Sequence, residues 1–369
     1  MSGTSCDGID AALVEVRGTG AEMKVSLHAF KTYPYDDAFR HRLLEGCRGA
    51  PDLCRLDREL GVRFAGAAAS MIGAARQMGL DVDFVASHGH TVAHVPPGRG
   101  PVAGTLQIGS ADVIAERTAR LVVSDFRPRD MAAGGHGAPL VPYADWVLFR
   151  REDATVATLN IGGIANFTVV TPELENVFAF DTGPGNMTID GAMRLLTHGR
   201  YGMDRDGATA AEGNVLPELL AELLDHPYFA QEPPKSAGRE IFGPGVYLEK
   251  SSKRWRRERI QDVMATVTMA TARSIADAYR AFIEPKVDVA RLIVSGGGTE
   301  NKTLMNMLSA ELPGVAIRTT DHYKIPSDAR EAIAFAILGN ETLCGTPNNA
   351  PCATGSKRRV VLGKITPAQ

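Results

Sequence analysis

The sequence offers no redox or zinc-ribbon spacing: its five cysteines, Cys6, Cys47, Cys54, Cys344 and Cys352, are odd in number and include no Cys-x-x-Cys pair. A disulfide framework is therefore not the organising device, and a reducing compartment is expected. Long apolar runs are lacking as well. No stretch of about 18 residues is apolar throughout, and the N-terminus shows no basic segment leading into an apolar one, so a soluble, cytoplasmic protein is expected. Neither sign of charge dominates. With 40 basic and 43 acidic side chains, a formal net charge of −3 leaves no footprint for nucleic acid or an anionic membrane, and a small-molecule partner is expected instead. The one dense charge run, Lys253-Arg254-Trp255-Arg256-Arg257-Glu258-Arg259, reads as a solvated helix start or loop rather than a nucleic-acid patch. Neither Gly-x-x-x-x-Gly-Lys-Ser/Thr nor a dinucleotide fingerprint is present.

What is present fills two lobes. A chain of 369 residues, 44% of them hydrophobic, exceeds what a single core normally organises. Residues 9–16 and 23–29 read as strands around the turn Gly18-Thr19-Gly20, an antiparallel hairpin, and residues 36–78 change to helical spacing before a strand at 83–87. The same grammar restarts near residue 154, with strands at 154–159, 165–170 and 176–180, the last ending at Asp181. Helical stretches are expected at 187–225, 258–283, 301–312 and 331–344, with strands at 121–123, 287–294 and 359–363. Strands alternating with helices in this way predict an α/β protein.

Three glycine-dense turns punctuate this pattern: Ser2-Gly3-Thr4-Ser5-Cys6-Asp7-Gly8, Asn160-Ile161-Gly162-Gly163-Ile164-Ala165-Asn166 and Ser295-Gly296-Gly297-Gly298-Thr299. A glycine turn is often mere geometry, but without a Cβ consecutive N–H groups can converge on an anion. Two such turns at hairpins and one at a strand-to-helix junction point to phosphate binding, and Asp7 and Asp10 beside the first point to a hydrated magnesium ion. Asp181, in Asp181-Thr182-Gly183-Pro184-Gly185-Asn186, follows an apolar run and is read either as a surface residue or, in the company of these turns, as a general base. Residues 124–130, Ser-Asp-Phe-Arg-Pro-Arg-Asp, read as an ion-pair cluster or a ligand site, and the glycine-rich segment 132–137 after them as a flexible cleft rim or hinge. His88, His90 and His94 lack a clustered acid and read as structural or substrate hydrogen-bonding groups rather than a zinc site.

Taken together, these words are similar to those of the anhydro-N-acetylmuramic acid kinase family. The resemblance is carried by residues 2–10, 87–92, 105–109, 124–130, 134–142, 159–167, 180–186, 234–240, 295–298 and 331–335, with Thr354-Gly355, and it runs nearly end to end. It implies a two-lobed actin/hexokinase-like fold, a duplicated ribonuclease H-like design, with residues 1–130 and 346–369 in one lobe and 131–345 in the other. It also implies ATP with Mg2+, and a reaction that opens the 1,6-anhydro bridge of 1,6-anhydro-N-acetylmuramic acid with water while phosphorylating the 6-oxygen. By position, Asp181 is implied as the catalytic base. Gly3, Thr4, Ser5, Cys6, Asp7, Gly8, Ile9 and Asp10 are implied as the first phosphate turn, with Asp7 near the metal. Asn160, Gly162 and Gly163 would form the second turn, and Gly296, Gly297, Gly298 and Asn301 would border the adenosine. His88, Arg127, Asp130 and Glu331 are the sugar-side candidates, and a homodimer is expected. Other readings are a kinase for another 1,6-anhydrosugar such as levoglucosan, and a non-catalytic nucleotide-gated sugar sensor. The chain departs from the family's usual residues at Cys6, His90 and His136, and only Met1 stands before Ser2 where relatives carry several apolar residues of a first strand.

Overall fold

The computed structural model describes residues 1–3, 6–98, 100–253 and 255–368. They form two compact units, Met1–Phe149 with Ala329–Gln369, and Arg150–Asp328. The boundaries expected at 130/131 and 345/346 are thus displaced: residues 131–149 and 329–345 belong to the first unit. A buried ion pair explains the displacement. Arg330 and Asp145 meet through two contacts, Nε to Oδ1 at 3.0 Å and Nη2 to Oδ2, and the Tyr143 hydroxyl donates to Glu341 Oε1 at 2.7 Å. These bonds join the helix Val141–Phe149 to the helix Arg330–Leu343 across almost 190 residues of sequence.

In the first unit, strands β1 (Gly8–Arg17) and β2 (Lys24–Pro34) make the expected antiparallel hairpin. The helix Ala50–Gln77 follows, burying Leu56, Leu60, Phe64 and Met71 along one stripe, as its three-and-four spacing requires. β3 (Phe84–Ala86) lies apart from β1, β4 (His90–Val95) pairs with β5 (Gly104–Ile108), and β6 (Leu121–Ser124) runs parallel to β3.

In the second unit, β7 (Thr155–Ile161), β8 (Ile164–Val170), β9 (Phe178–Pro184), β10 (Val289–Ser295) and β11 (Ile317–Thr319) form one sheet in the order β11-β10-β7-β8-β9. β7, β8 and β9 alternate in direction, while β10 and β11 run parallel to β7. This is the mixed sheet expected of a ribonuclease H-like unit. Leu159, Phe167 and Phe180 sit opposite one another on adjacent strands within the core, together with Val263, Val267 and Ile275 of the helix Ile260–Phe282.

Two expected strands shift. The third strand of this unit is expected to stop at Asp181, but Leu174–Asn176 is a 3-10 turn and β9 runs on to Pro184, leaving Asp181 inside the strand. Residues 359–363 do not pair as a strand. Asn side chains take their amides, Val360 N–H donating to Asn349 Oδ1 and Leu362 N–H to Asn348 Oδ1, and pairing begins only at β12 (Lys364–Thr366), antiparallel to β6. No described helix is long and apolar enough to cross a membrane.

Candidate active site

The sheet of the second unit aligns a row of polar side chains. Ser295 of β10 is level with Asn160 of β7, Asn160 with Asn166 of β8, and Asn166 with Asp181 of β9. Residues paired across a sheet share a face, and neighbouring strands lie about 4.8 Å apart, so the row spans roughly 14 Å. Asp181 joins it in the regular register that pairs Phe167 with Phe180, and a β-bulge follows directly: Ala165 pairs with Gly183 and Asn166 with Asp181, leaving Thr182 as the extra residue. A bulge re-aims the side chain beside it. Thr182 itself turns inward, its hydroxyl donating to the Ala165 carbonyl at 3.1 Å.

The three glycine segments of this unit meet at the same end of the sheet. Gly185 N–H donates to the Gly163 carbonyl at 3.0 Å, and Asn186 N–H to the Gly162 carbonyl at 2.8 Å. A Cβ at Gly185 would stand 2.3 Å from the Gly162 carbonyl oxygen, closer than any side chain tolerates. Gly296 has φ +86°, and a Cβ there would lie 2.7 Å from both Asn160 Oδ1 and the Ile161 carbonyl. Local backbone crowding therefore requires glycine at both places, besides any role toward an anion. Asn301 serves the fold as well, because its Oδ1 accepts from Leu304 N–H at 2.9 Å and so caps the helix Lys302–Glu311.

Asp181 is half-buried. Its Oδ2 accepts from Ala237 N–H at 2.8 Å, its own N–H donates to the Lys235 carbonyl at 3.1 Å, and the Tyr228 hydroxyl donates to its carbonyl oxygen at 2.9 Å. Burial pushes its carboxyl up to about 6, with the Glu240 charge adding to the rise and the Ala237 bond and Lys235 opposing it. Lys235 is the counterpart: burial lowers its ammonium to about 8, against the pull of Asp181, and Nζ lies over the rings of Tyr228 and Phe282 at 4.9 and 4.5 Å. A carboxylate tuned toward neutrality and held by a fixed backbone donor suits proton abstraction. The sequence pattern assigns no role to Tyr228, Lys235 or Asn166. The word Pro234-Lys235-Ser236-Ala237-Gly238-Arg239-Glu240 is the available signal for Lys235, and the near-mirror Asn160…Asn166 around the glycine hairpin for Asn166.

In the first unit the opening turn is described only in part, and Thr4 and Ser5 lie outside the described residues. Cys6 has φ +53° and is buried near His90, Ile9 enters the core, and Gly8 begins β1 with the Tyr33 carbonyl 2.6 Å from where a Cβ would stand. Asp7 is exposed, whereas Asp10 Oδ1 accepts from the Thr32 hydroxyl at 2.6 Å. No three His, Cys, Asp or Glu side chains gather into a metal cage among the described residues. A magnesium ion held mainly by phosphates and water needs only one or two carboxylates, and an exposed Asp7 fits that demand.

His88 and Arg127 form a buried pair. Arg127 Nε donates to His88 Nε2 at 2.9 Å and its Nη1 to the Gly137 carbonyl at 2.8 Å, while His88 Nδ1 is placed to donate to the Gly89 carbonyl. Burial, followed by the Arg127 charge, holds His88 well below its usual range, so its ring is neutral. Burial lowers Arg127 to about 10, which keeps it cationic at neutral pH, and Glu331 supports that charge. Glu331 is solvent-accessible at the start of its helix, and desolvation by the surrounding protein raises its carboxyl against Arg330 and Arg127. Asp130 is fully buried. Its Oδ1 accepts from Asn349 and from the Thr354 hydroxyl, and its Oδ2 from Gly137 N–H. That geometry makes Asp130 an anchor of residues 132–137. The same bonds, with His136 N–H donating to the Thr354 carbonyl and Lys357 N–H to the Ala133 carbonyl, hold the segment expected to flex. His94 pairs with the Thr105 hydroxyl and His90 with Ser2, so the histidines enter separate networks, in line with the structural reading.

A desolvated carboxylate in a polar row, framed by glycine turns on a ribonuclease H-like sheet, defines a candidate enzyme of the two-lobed phosphotransferase class. The chain belongs to the anhydro-N-acetylmuramic acid kinase family, whose model matches residues 1–368. It is 45% identical to the anhydro-N-acetylmuramic acid kinase of Caldanaerobacter subterraneus subsp. tengcongensis over 99% of this chain and 95% of that protein. The Francisella tularensis subsp. novicida protein of the same name is 44% identical over 99% and 97%. Among solved structures it is similar to a ROK family glucokinase from Streptomyces griseus in complex with glucose and AMPPNP, with TM-score 0.35 and 12% identity over 89% of this chain and 99% of that one.

Proposed function

We propose that this protein is an ATP-dependent kinase that opens the 1,6-anhydro bridge of 1,6-anhydro-N-acetylmuramic acid and phosphorylates the 6-oxygen, with N-acetylmuramic acid 6-phosphate and ADP as products. Such a step belongs to the recycling of cell-wall sugars. The observation that carries the reading is the placement of Asp181 at the β9 bulge, level with Asn166 and Asn160 and next to the glycine turns.

In this reading Asp181 takes a proton from the water that attacks the anomeric carbon, and the bridge C–O bond breaks as the 6-oxygen accepts the phosphoryl group. No separate acid is required, because phosphorus captures the charge developing on the leaving oxygen. Ala237 N–H holds one carboxylate oxygen, so the other is directed at the water. Asn160, Gly162 and Gly163 face the phosphates in the second unit, and Gly296–Gly298 border the adenosine, with Asn301 fixing the helix behind them. Residues 3–10 would supply the phosphate turn of the first unit, and Asp7 would hold Mg2+. When bound, that ion neutralises phosphate charge. Arg127 is the cation for the lactyl carboxylate, His88 orients it, Glu331 meets sugar hydroxyls, and Asp130 positions the loop that Arg127 also binds. A homodimer is the working assembly in this reading.

The test is turnover in oxygen-18 water with mass spectrometry of the product. Label at the anomeric hydroxyl supports hydrolytic opening by the Asp181-activated water, and unlabelled product removes it. Faster turnover of levoglucosan than of the muramyl sugar would instead assign another anhydrosugar.

A further inference from the structure

The glycine turns of the second unit lie in a row that continues past them. Asn160, in the turn read above as facing the phosphates, is level with Ser295, and Gly296 backs onto the Asn160 side chain and the Ile161 carbonyl. Gly298 packs on the Ile161 side chain, and its carbonyl accepts from Asn301 N–H at 3.1 Å. Gly207 comes next. It lies directly against Asn301 Oδ1, and its carbonyl accepts from the Thr303 hydroxyl at 2.7 Å. The loop 201–207 is thus one step further from Asn160 than the turn that borders the adenosine in that reading.

This loop is held by its inward residues and leaves its outward ones bare. Asp204 is buried, its Oδ1 accepting from Thr209 N–H at 2.9 Å and its Oδ2 from Ala210 N–H at 3.0 Å. Its backbone is extended, with φ −89° and ψ 93°, so the side chains before and after it, Met203 and Arg205, project to the other side. Both are exposed. Asp206 then takes φ +57°, a left-handed conformation that persists only where the surroundings fix it, and the chain returns to Asn301 at Gly207.

Met203 is 59% exposed, and Tyr201, two residues earlier, is 53% exposed. Scattered apolar side chains in water are ordinary, but this one stands on an anchored loop beside a ligand turn. A purine ring suits such a surface. It is flat and polarizable, a thioether makes a favourable contact with an aromatic ring, and a guanidinium beside it can lie on the same face. We propose that Met203, flanked by Arg205, is the platform on which the purine base of the nucleotide stacks. The inference rests on the kinase reading and adds to it a side chain that recognises the base, where the glycine turns offer only backbone.

Carbon-13 NMR of the full chain labelled at the methionine methyl groups is the direct test, with the Met203 signal assigned by its loss in Met203→Leu. Addition of AMPPNP with Mg2+ is expected to move that signal upfield, as a methyl group over an aromatic face must move. Met203→Ala is expected to raise the Kd for AMPPNP about threefold to tenfold, the range of a thioether–aromatic contact, and Met203→Leu to recover most of the loss. If AMPPNP binds while the Met203 signal stays in place, or if Met203→Ala binds it as tightly as the parent, the base lies elsewhere and the proposal is overturned, with the kinase reading intact. If the parent binds no AMPPNP, the kinase reading falls and this inference falls with it.

Discussion

Replacing Asp181 with Asn separates the two consequences of burying a carboxylate. The change keeps an oxygen that can accept from Ala237 N–H and removes the charge that burial and Glu240 disfavour. A general base contributes about 10²–10⁴ in rate, so kcat should fall by that factor, equivalent to roughly 3–5 kcal/mol in the barrier, while KM changes little. Stability should move the other way. A carboxyl held near 6 in the fold and near 3.8 when unfolded destabilises the native state as pH rises through that window, the full penalty being present above pH 6. The shift corresponds to roughly 3 kcal/mol at neutral pH, reduced to about 1–2 kcal/mol by the water that reaches a half-buried group. Asp181→Asn is therefore expected to melt a few degrees above the parent at pH 7.5, with the gain roughly halved at pH 5. Calorimetry at the two pH values, paired with ADP release in the presence of sugar, reads both effects. A variant that retains turnover within tenfold, or whose melting temperature does not rise, refutes the assignment of Asp181 as a desolvated base.

The pH profile follows from the same residue: kcat/KM should fall about tenfold per unit below pH 6, because only the ionised carboxylate accepts the proton. Lys235→Met removes the cation that lowers Asp181, so the acidic limb should move to higher pH and Lys235→Arg should return it; a limb that stays put in both variants disconnects the pair. Gly185→Ala forces a Cβ against the Gly162 carbonyl at 2.3 Å, and a loss of about 1–3 kcal/mol in urea unfolding with a raised KM for ATP is expected. Asp145→Asn removes the carboxylate that buried Arg330 contacts through Nε and Nη2 and should cost about 3–5 kcal/mol, measured by denaturation of the full chain, with the activity of the folded fraction retained.

The glycine turns, the hairpins and the long helices were legible because each is written in local pattern. The stripe Leu56, Leu60, Phe64, Met71 announces its helix, and the strands beside Gly162-Gly163 announce theirs. What stayed hidden depends on partners distant in sequence. Two lobes followed from chain length, but their boundary did not, since the Asp145–Arg330 pair joins residues 185 positions apart. Asp130 resembled a ligand because a charge after a strand usually meets solvent, whereas Asn349 and Thr354 enclose it from the far end of the chain. Residues 359–363 have strand composition, but Asn348 and Asn349 offer their amides a side-chain alternative.

Asp181 shows why a site can be found in sequence before its geometry can. The apolar run and the following glycines located the carboxylate, but they implied that the strand stopped there. Had β9 ended at Asp181, its side chain would have had solvent on most sides and no cause to titrate far above an ordinary carboxylate. Instead the regular register that pairs Phe180 with Phe167 carries Asp181 level with Asn166, and the strand continues past it through Thr182, the extra residue opposite Ala165. Continued pairing keeps the residue half-buried, and burial is the largest cause of its raised pKa. Continuation of the strand past Asp181 thus links backbone pairing to proton affinity, and Thr182→Pro, which interrupts the strand directly after it, should drop Asp181 toward an ordinary carboxylate value. Direct titration of that carboxyl by carbon-13 NMR tests the link, and a value still near 6 in the proline variant would break it.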